Sequence, residues 1–253
     1  MKGQLNTKTT VEITMPHIDY SDSGTTFEGY IAFDPAATRK QPCMLIAHAW
    51  DGLNSHWIAL ADEYACKGFV AFAIDVYGKG VRGRVDGDNS HLMNPLMADR
   101  QLLRSRLLAA LARAQRHENV DPQKIFVIGY CFGGVCSLDL ARAAPAGLLG
   151  AITIHGAFTP PNIEPQPRIT ASSLACHGWE DPIAPPADVL SFASEMSAAG
   201  ADWQLHGYGH AKHAFTFVGA DIPQFGIKYD EKAHRRSMVA IDNFIEERLE
   251  RER

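Results

Sequence analysis

The hexapeptide Gly129-Tyr130-Cys131-Phe132-Gly133-Gly134 constrains the fold more than any other stretch of this chain. Before it, Lys124 to Ile128 reads as a short buried strand, β-branched and aromatic; after it, Val135 to Ala144 reads as a helix of small and apolar residues. The residues between must turn strand into helix within a few bonds. A Cβ at position 129 or 133 would obstruct the sharp reversal and the close packing of helix on strand, so both positions call for glycine. Cys131 falls on the turn, where the orphan N–H groups and positive dipole end of the following helix would stabilise a thiolate. The spacing is that of a nucleophile elbow, with cysteine where serine is commoner. By itself, Gly-x-Cys-x-Gly also describes a tight turn around an inert buried thiol, so the rest of the chain must supply partners.

Read in order, the chain alternates strand and helix. Val11 to Met15 and Phe27 to Phe33, split by the turn signal Asp22-Ser23-Gly24, predict an N-terminal antiparallel hairpin. Cys43 to Ala47 and Phe69 to Ile74 are continuous apolar runs, as expected of strands buried on both faces. A helix from Ser55 to Lys67, closed by Gly68, lies between them. Gly80 to Ser90 is an aperiodic Gly-, Arg- and Asp-rich excursion. Asn94 then caps a helix with Pro95 in its first turn, and Leu92, Leu96, Leu103, Leu107 and Leu111 mark its apolar face. Strands follow at Leu149 to Ile154, Ser173 to Cys176 and Asp202 to His206, and helices at Ala187 to Ala199 and Asp230 to Arg251. The aperiodic excursions, Gly80 to Ser90 and Thr159 to Pro167, are expected to edge a pocket mouth. With no linker and no composition break, residues 1–253 read as a single α/β domain on a mostly parallel sheet.

Composition narrows the function. A net charge of -5 and a pI near 6.1 give no general attraction to phosphate backbones or anionic lipid, so neither nucleic acid nor membrane is expected as a partner. The arginines Arg100, Arg104, Arg106, Arg113 and Arg116 are most simply the solvated face of a leucine-rich helix. No run approaches the length of a membrane span, and the polar Met1 to Thr10 lacks the apolar core of a signal peptide, so a cytoplasmic location is expected. Five cysteines, an odd number without zinc spacings, fit reduced thiols better than a disulfide framework.

Ligands of parallel sheets bind beyond the carboxyl ends of the strands. Cys131, Asp181 and His213 each follow a predicted strand there, in the chain order nucleophile, acid, histidine used by α/β-hydrolases. The chemistry requires these types. A thiol of ordinary pKa, about 8.5, is mostly protonated at neutral pH; a histidine must take its proton, and a carboxylate must fix that histidine's tautomer. His210 competes with His213 on the same loop, and His213 is preferred because His-Ala-Phe-Thr runs on into apolar sequence that could anchor it.

The combination of Gly129 to Gly134, His177-Gly178-Trp179-Glu180-Asp181-Pro182 and His213-Ala214-Phe215 resembles the dienelactone hydrolase family of α/β-hydrolases. The likeness extends over most of the chain, including Ile46-Ala47-His48 to Asn54 and Asp75-Val76-Tyr77. The resemblance implies an α/β-hydrolase fold, a mostly parallel central sheet flanked by helices. It also implies a Cys131, Asp181 and His213 triad that hydrolyses a small-molecule ester or lactone through an acyl-enzyme, without metal or cofactor. The backbone N–H groups of Trp50 and Phe132 would form the oxyanion hole. The family's best-known members carry a glutamate where this chain has Ala49. Their arginines for a substrate carboxylate stand where this chain has Lys79 and Phe217. With Trp50, Tyr77, Trp179, Phe215 and Phe217 near predicted strand ends, the substrate-binding residues expected are Tyr77, Trp179 and Phe217, with Lys79 at most a weak anion contact.

Two other readings compete. Strand-end histidines His48, His155, His177, His206, His210 and His213 could build a metal-dependent hydrolase, but none shows a metal-ligand spacing. A non-catalytic α/β-hydrolase-like binding protein would not require a positioned nucleophile with both its supports.

Overall fold

Short β-branched and aromatic runs build an eight-stranded sheet in the computed structural model, which describes residues 16–84 and 86–250. Its strands are β1 (His17–Asp22), β2 (Thr25–Ala32), β3 (Gln41–Ala47), β4 (Val70–Ile74), β5 (Val120–Tyr130), β6 (Leu148–Ile154), β7 (Ser172–Gly178) and β8 (Trp203–Tyr208). They lie in the order β1-β2-β4-β3-β5-β6-β7-β8. From β4 to β8 every neighbouring pair is parallel, while β1 and β2 run antiparallel at one edge. The helices are α1 (Ser55–Cys66), α2 (Ser90–Ala98), α3 (Arg100–Gln115), α4 (Phe132–Arg142), α5 (Pro186–Ala198) and α6 (Glu231–Glu250). Two-residue strands β9 (Asp221–Ile222) and β10 (Ile227–Lys228) form a small hairpin after β8.

Strand periodicity sorts the core into two layers. Cys43, Leu45, Ile125 and Val127 join a cluster with Leu103, Leu107 and Leu111 of α3 and Phe192 of α5. Their sequence neighbours Met44, Ile46, Phe126 and Ile128 join another with Trp57 and Tyr64 of α1 and Phe244 and Ile245 of α6. Successive side chains on a strand point to opposite faces, so the central strands are apolar throughout.

Several local expectations require correction. The N-terminal hairpin is present, but it pairs β1 with β2, from His17 opposite Tyr30 to Asp22 opposite Thr25. Val11 to Met15 lie outside the described residues. The helix expected from Asn94 is two helices: α2 begins after Asn89 and carries Pro95 in its interior. The Asp99 side chain then caps α3 by accepting from the Leu102 N–H at 2.9 Å. Asn89 itself folds the preceding excursion, accepting from the Arg84 N–H and donating to its carbonyl, both at 2.8 Å. That excursion lies against the loop after β3, where the Gly83 N–H donates to the Asp51 carbonyl at 2.9 Å.

Two of the arginines expected to face solvent are turned inward. Arg100 is buried and grips Asp139 of α4 with Nε and Nη2, each at 2.6 Å. Arg106 donates to the Val76 carbonyl at 2.6 Å. Arg142 joins Asp139 to Glu195 of α5, at 3.2 and 2.7 Å. The second excursion is docked on this network, through Arg100 to the Thr159 carbonyl, Arg142 to the Phe158 carbonyl and Gln166 to the Arg142 carbonyl.

Candidate active site

The central strand β5 delivers Cys131 to the carboxyl edge of the sheet with φ 54° and ψ −116°, a conformation that costs a non-glycine residue energy and recurs at functional turns. Packing enforces it. A Cβ on Gly129 would stand 1.8 Å from the Gly133 carbonyl oxygen, and one on Gly133 would stand 2.1 Å from that of Ala47. Both obstacles are backbone and neither can yield, so glycine lets α4 start directly beside β5 and β3. The Cys131 N–H is fixed to the Ile154 carbonyl at 3.0 Å, and the thiol is half-buried. Cys43, Cys136 and Cys176 are buried, and burial pushes their thiols up, that of Cys176 to about 12; Cys66 is exposed.

Asp181 and His213 meet because the loops after β7 and β8 are laced together. The Trp179 N–H donates to the Tyr208 carbonyl and the Glu180 N–H to the Ala211 carbonyl, each at 2.9 Å. The Asp181 side chain is thereby held so that Oδ1 accepts from the Ile183 N–H at 2.8 Å and Oδ2 lies 2.8 Å from His213 Nδ1. Both side chains are buried. A backbone strap secures the histidine from the far side: the His213 N–H donates to the Gly226 carbonyl at 2.8 Å and the Lys228 N–H to the His213 carbonyl at 3.0 Å. Gly226 is left-handed, φ 72°, and a Cβ there would meet Pro182 Cγ at 2.3 Å, so glycine is what lets the strap close against the Asp181 loop. His210, the competing histidine, is exposed and paired with Glu180 at 2.9 Å.

Electrostatics separate the histidines. Burial works against a charge on His213, but the Cys131 charge and the hydrogen bonds His213 makes to Asp181 and Cys131 outweigh it, raising the imidazole to about 10. His155, at the end of β6, touches the His213 ring edge-on with centroids 5.1 Å apart. Burial first, and the His213 charge second, hold His155 well below the ordinary histidine range, so it is neutral. Its Nε2 lies 2.9 Å from Thr216 Oγ1. His48 is also kept neutral by burial, and its ring joins two loops, Nδ1 to the Ala49 carbonyl at 2.6 Å and Nε2 accepting from the Val76 N–H at 3.3 Å. Among the described residues, no three His, Cys, Asp or Glu side chains converge as metal ligands.

The remaining predicted residues divide into two groups. Phe132 is the first residue of α4, so no helical carbonyl can reach its N–H. The close approach of Gly133 to the Ala47 and His48 carbonyls brings that end of α4 against the loop carrying Trp50. Tyr77 is buried, stacks on Phe132 at 5.9 Å and donates its hydroxyl to the Trp50 carbonyl at 2.9 Å. Phe217 is half-buried among His56, Trp57, Tyr130 and His155. Trp179 is 46% exposed beside His177. Lys79 is drawn instead to the hairpin edge, 2.7 Å from Asp19 and 3.0 Å from Glu28. Sequence reasoning missed the strap around His213 and the contact of His155 with His213. The glycine at 226 and the position of His155 at a strand end were the available signals.

A mainly parallel sheet with a strained elbow on its central strand and an acid–histidine pair on neighbouring strand ends is the architecture of an α/β hydrolase. Similarity to known proteins narrows the class. The chain belongs to the dienelactone hydrolase family, whose model matches residues 27–249, and is a hydrolase of that type. It superposes with a TM-score of 0.85 on the crystal structure of a dienelactone hydrolase-like promiscuous phosphotriesterase from metagenomic libraries, at 32% identity over 93% of this chain and 98% of the other. An uncharacterized Caenorhabditis elegans protein is 36% identical over 57% of this chain and 93% of its own length. A Synechocystis protein with the provisional name carboxymethylenebutenolidase is 28% identical over 81% and 88%. No helix among the described residues is long and apolar enough to cross a membrane.

Proposed function

We propose that this hydrolase cleaves a small-molecule ester or lactone by covalent catalysis at Cys131, with His213 as acid and base and Asp181 as its orienting partner. The observation that carries the reading is a buried carboxylate–imidazole pair, 2.8 Å apart, on the strand ends that adjoin the strained elbow presenting Cys131. Attack of the Cys131 sulfur on the substrate carbonyl would form the C–S bond and a tetrahedral oxyanion. The N–H groups of Phe132 and Trp50 would donate to that oxyanion. Collapse breaks the C–O bond, the leaving oxygen takes the His213 proton, and a thioester remains. Water then attacks the thioester while His213 accepts its proton, and Cys131 leaves as thiolate. Asp181 holds the Nδ1–H tautomer that keeps Nε2 directed at the reaction. Tyr77, Phe217 and Trp179 would bound the substrate, whereas Lys79 is already occupied by two carboxylates.

The test is a panel of esters, lactones and a phosphotriester assayed with wild type, Cys131→Ala and His213→Ala. Each variant is expected to lose at least ~1000-fold in kcat/KM. Mass spectrometry of the quenched wild type should find an acyl adduct on the peptide containing Cys131. Full activity in Cys131→Ala would refute the mechanism, and no turnover with any substrate would favour the binding-protein alternative.

A further inference from the structure

Large apolar side chains exposed to solvent are unevenly distributed. Of the eight among the described residues, five lie on the two segments that hold Asp181 and His213: Trp179, Ile183, Val218, Ile222 and Phe225, the last 70% exposed. The other three, Val81, Leu190 and Val239, are elsewhere in the chain. These two segments touch: Gly226 abuts Pro182, and Ile222 pairs with Ile227, which itself bridges to His213. Exposed apolar groups concentrated beside a reactive centre indicate a surface that a ligand covers, because single scattered ones need no explanation and clustered ones do.

The cations that could hold a substrate carboxylate point the same way, Lys79 and Arg82 toward the β1–β2 edge of the sheet and Lys212 and Lys228 on these segments. Lys79 is paired with Asp19 and Glu28, Lys212 with Glu180, and Arg82 is turned onto the Gly78 and Val81 carbonyls and Asp75. Lys228, exposed on β10, is a single point charge without the fork that binds a carboxylate in two places.

We propose that the Trp179, Ile183, Val218, Ile222 and Phe225 surface is a substrate subsite, and that the substrates are neutral esters bearing an extended alkyl or aryl group. This rests on the hydrolase mechanism above. The strap that grips the His213 backbone thus also receives the apolar end of the substrate, which sets the reacting carbonyl against Cys131.

The experiment measures kcat/KM for p-nitrophenyl acetate, butanoate, hexanoate and octanoate. Wild type is expected to gain about threefold for each two added methylenes, less than full burial of both would give. Ile222→Ser and Phe225→Ser should flatten that series, while Val239→Ser on α6 keeps its slope. The slope is a ratio within one variant, so a partly folded sample does not alter it. As a second arm, the hexanoate ester should exceed the monoester of adipic acid, which adds a distal carboxylate, by about tenfold or more, because burying a charge against apolar groups is costly. A flat wild-type series, a slope unchanged in both strap variants, or a preference for the anionic ester that Lys79→Ala or Lys228→Ala removes would overturn the subsite. Those results leave the Cys131 adduct intact, whereas a rising series without the adduct would remove the nucleophile and keep the subsite.

Discussion

At the residue scale, the decisive group is His213, whose charge depends on two neighbours from different strand ends, Cys131 after β5 and Asp181 after β7. The Cys131 charge is the largest upward influence on the imidazole, followed by the Asp181 hydrogen bond. Removing the thiol in Cys131→Ala should therefore bring the His213 titration down from about 10, and Asp181→Asn should lower it as well, with ring-proton NMR as the readout. An unmoved titration in Cys131→Ala would mean that thiol and imidazole do not interact. In Asp181→Asn the imidazole also loses its tautomer control, so kcat should fall by about 1000-fold or more, with KM changing much less.

At the scale of elements, the site depends on loops that are held from behind. Asp139, Arg100, Arg142 and Glu195 tie α3, α4 and α5 together, and the first three are almost wholly buried. Replacing one member leaves the others without a partner, which costs far more than an exposed pair contributes. Arg100→Leu should lose about 3 kcal/mol or more in urea unfolding. Arg84→Leu, whose partner Asp86 is as exposed as itself, should stay within about 0.5 kcal/mol. Equal losses would mean that the buried network is solvated or easily rearranged.

For the whole molecule, the raised His213 imidazole links stability to pH. The folded value, about 10, lies above the unfolded value of about 6.5. Its stabilising contribution is therefore complete below about pH 6.5 and disappears as pH rises through 10. The Tm difference between wild type and His213→Gln is expected to be larger at pH 6 than at pH 10. A difference that grows toward pH 10 would reverse the assigned direction.

Local pattern determined much of this protein. Continuous apolar runs identified the parallel strands, because a strand covered on both faces has no polar side. Glycines 129 and 133 marked the elbow, because only glycine fits where the backbone of α4 meets β5 and β3. The order Cys131, Asp181, His213 was legible because residues at the carboxyl ends of parallel strands share one edge. Tertiary structure decided what depends on distant partners. Helical spacing assigned Arg100 and Arg106 to solvent, yet Asp139 and the Val76 carbonyl, 39 and 30 residues away, drew them inward. The same holds for His213 over His210. Three residues apart on one loop, they are told apart by the strap and by Asp181, which bury one imidazole and leave the other beside Glu180 at the surface. Lys79, a cation at a strand end by sequence, is claimed by Asp19 and Glu28 because the hairpin edge lies beside it in space. Side-chain pairing across elements is set by which strands become neighbours, and that information lies in the packing of the whole sheet.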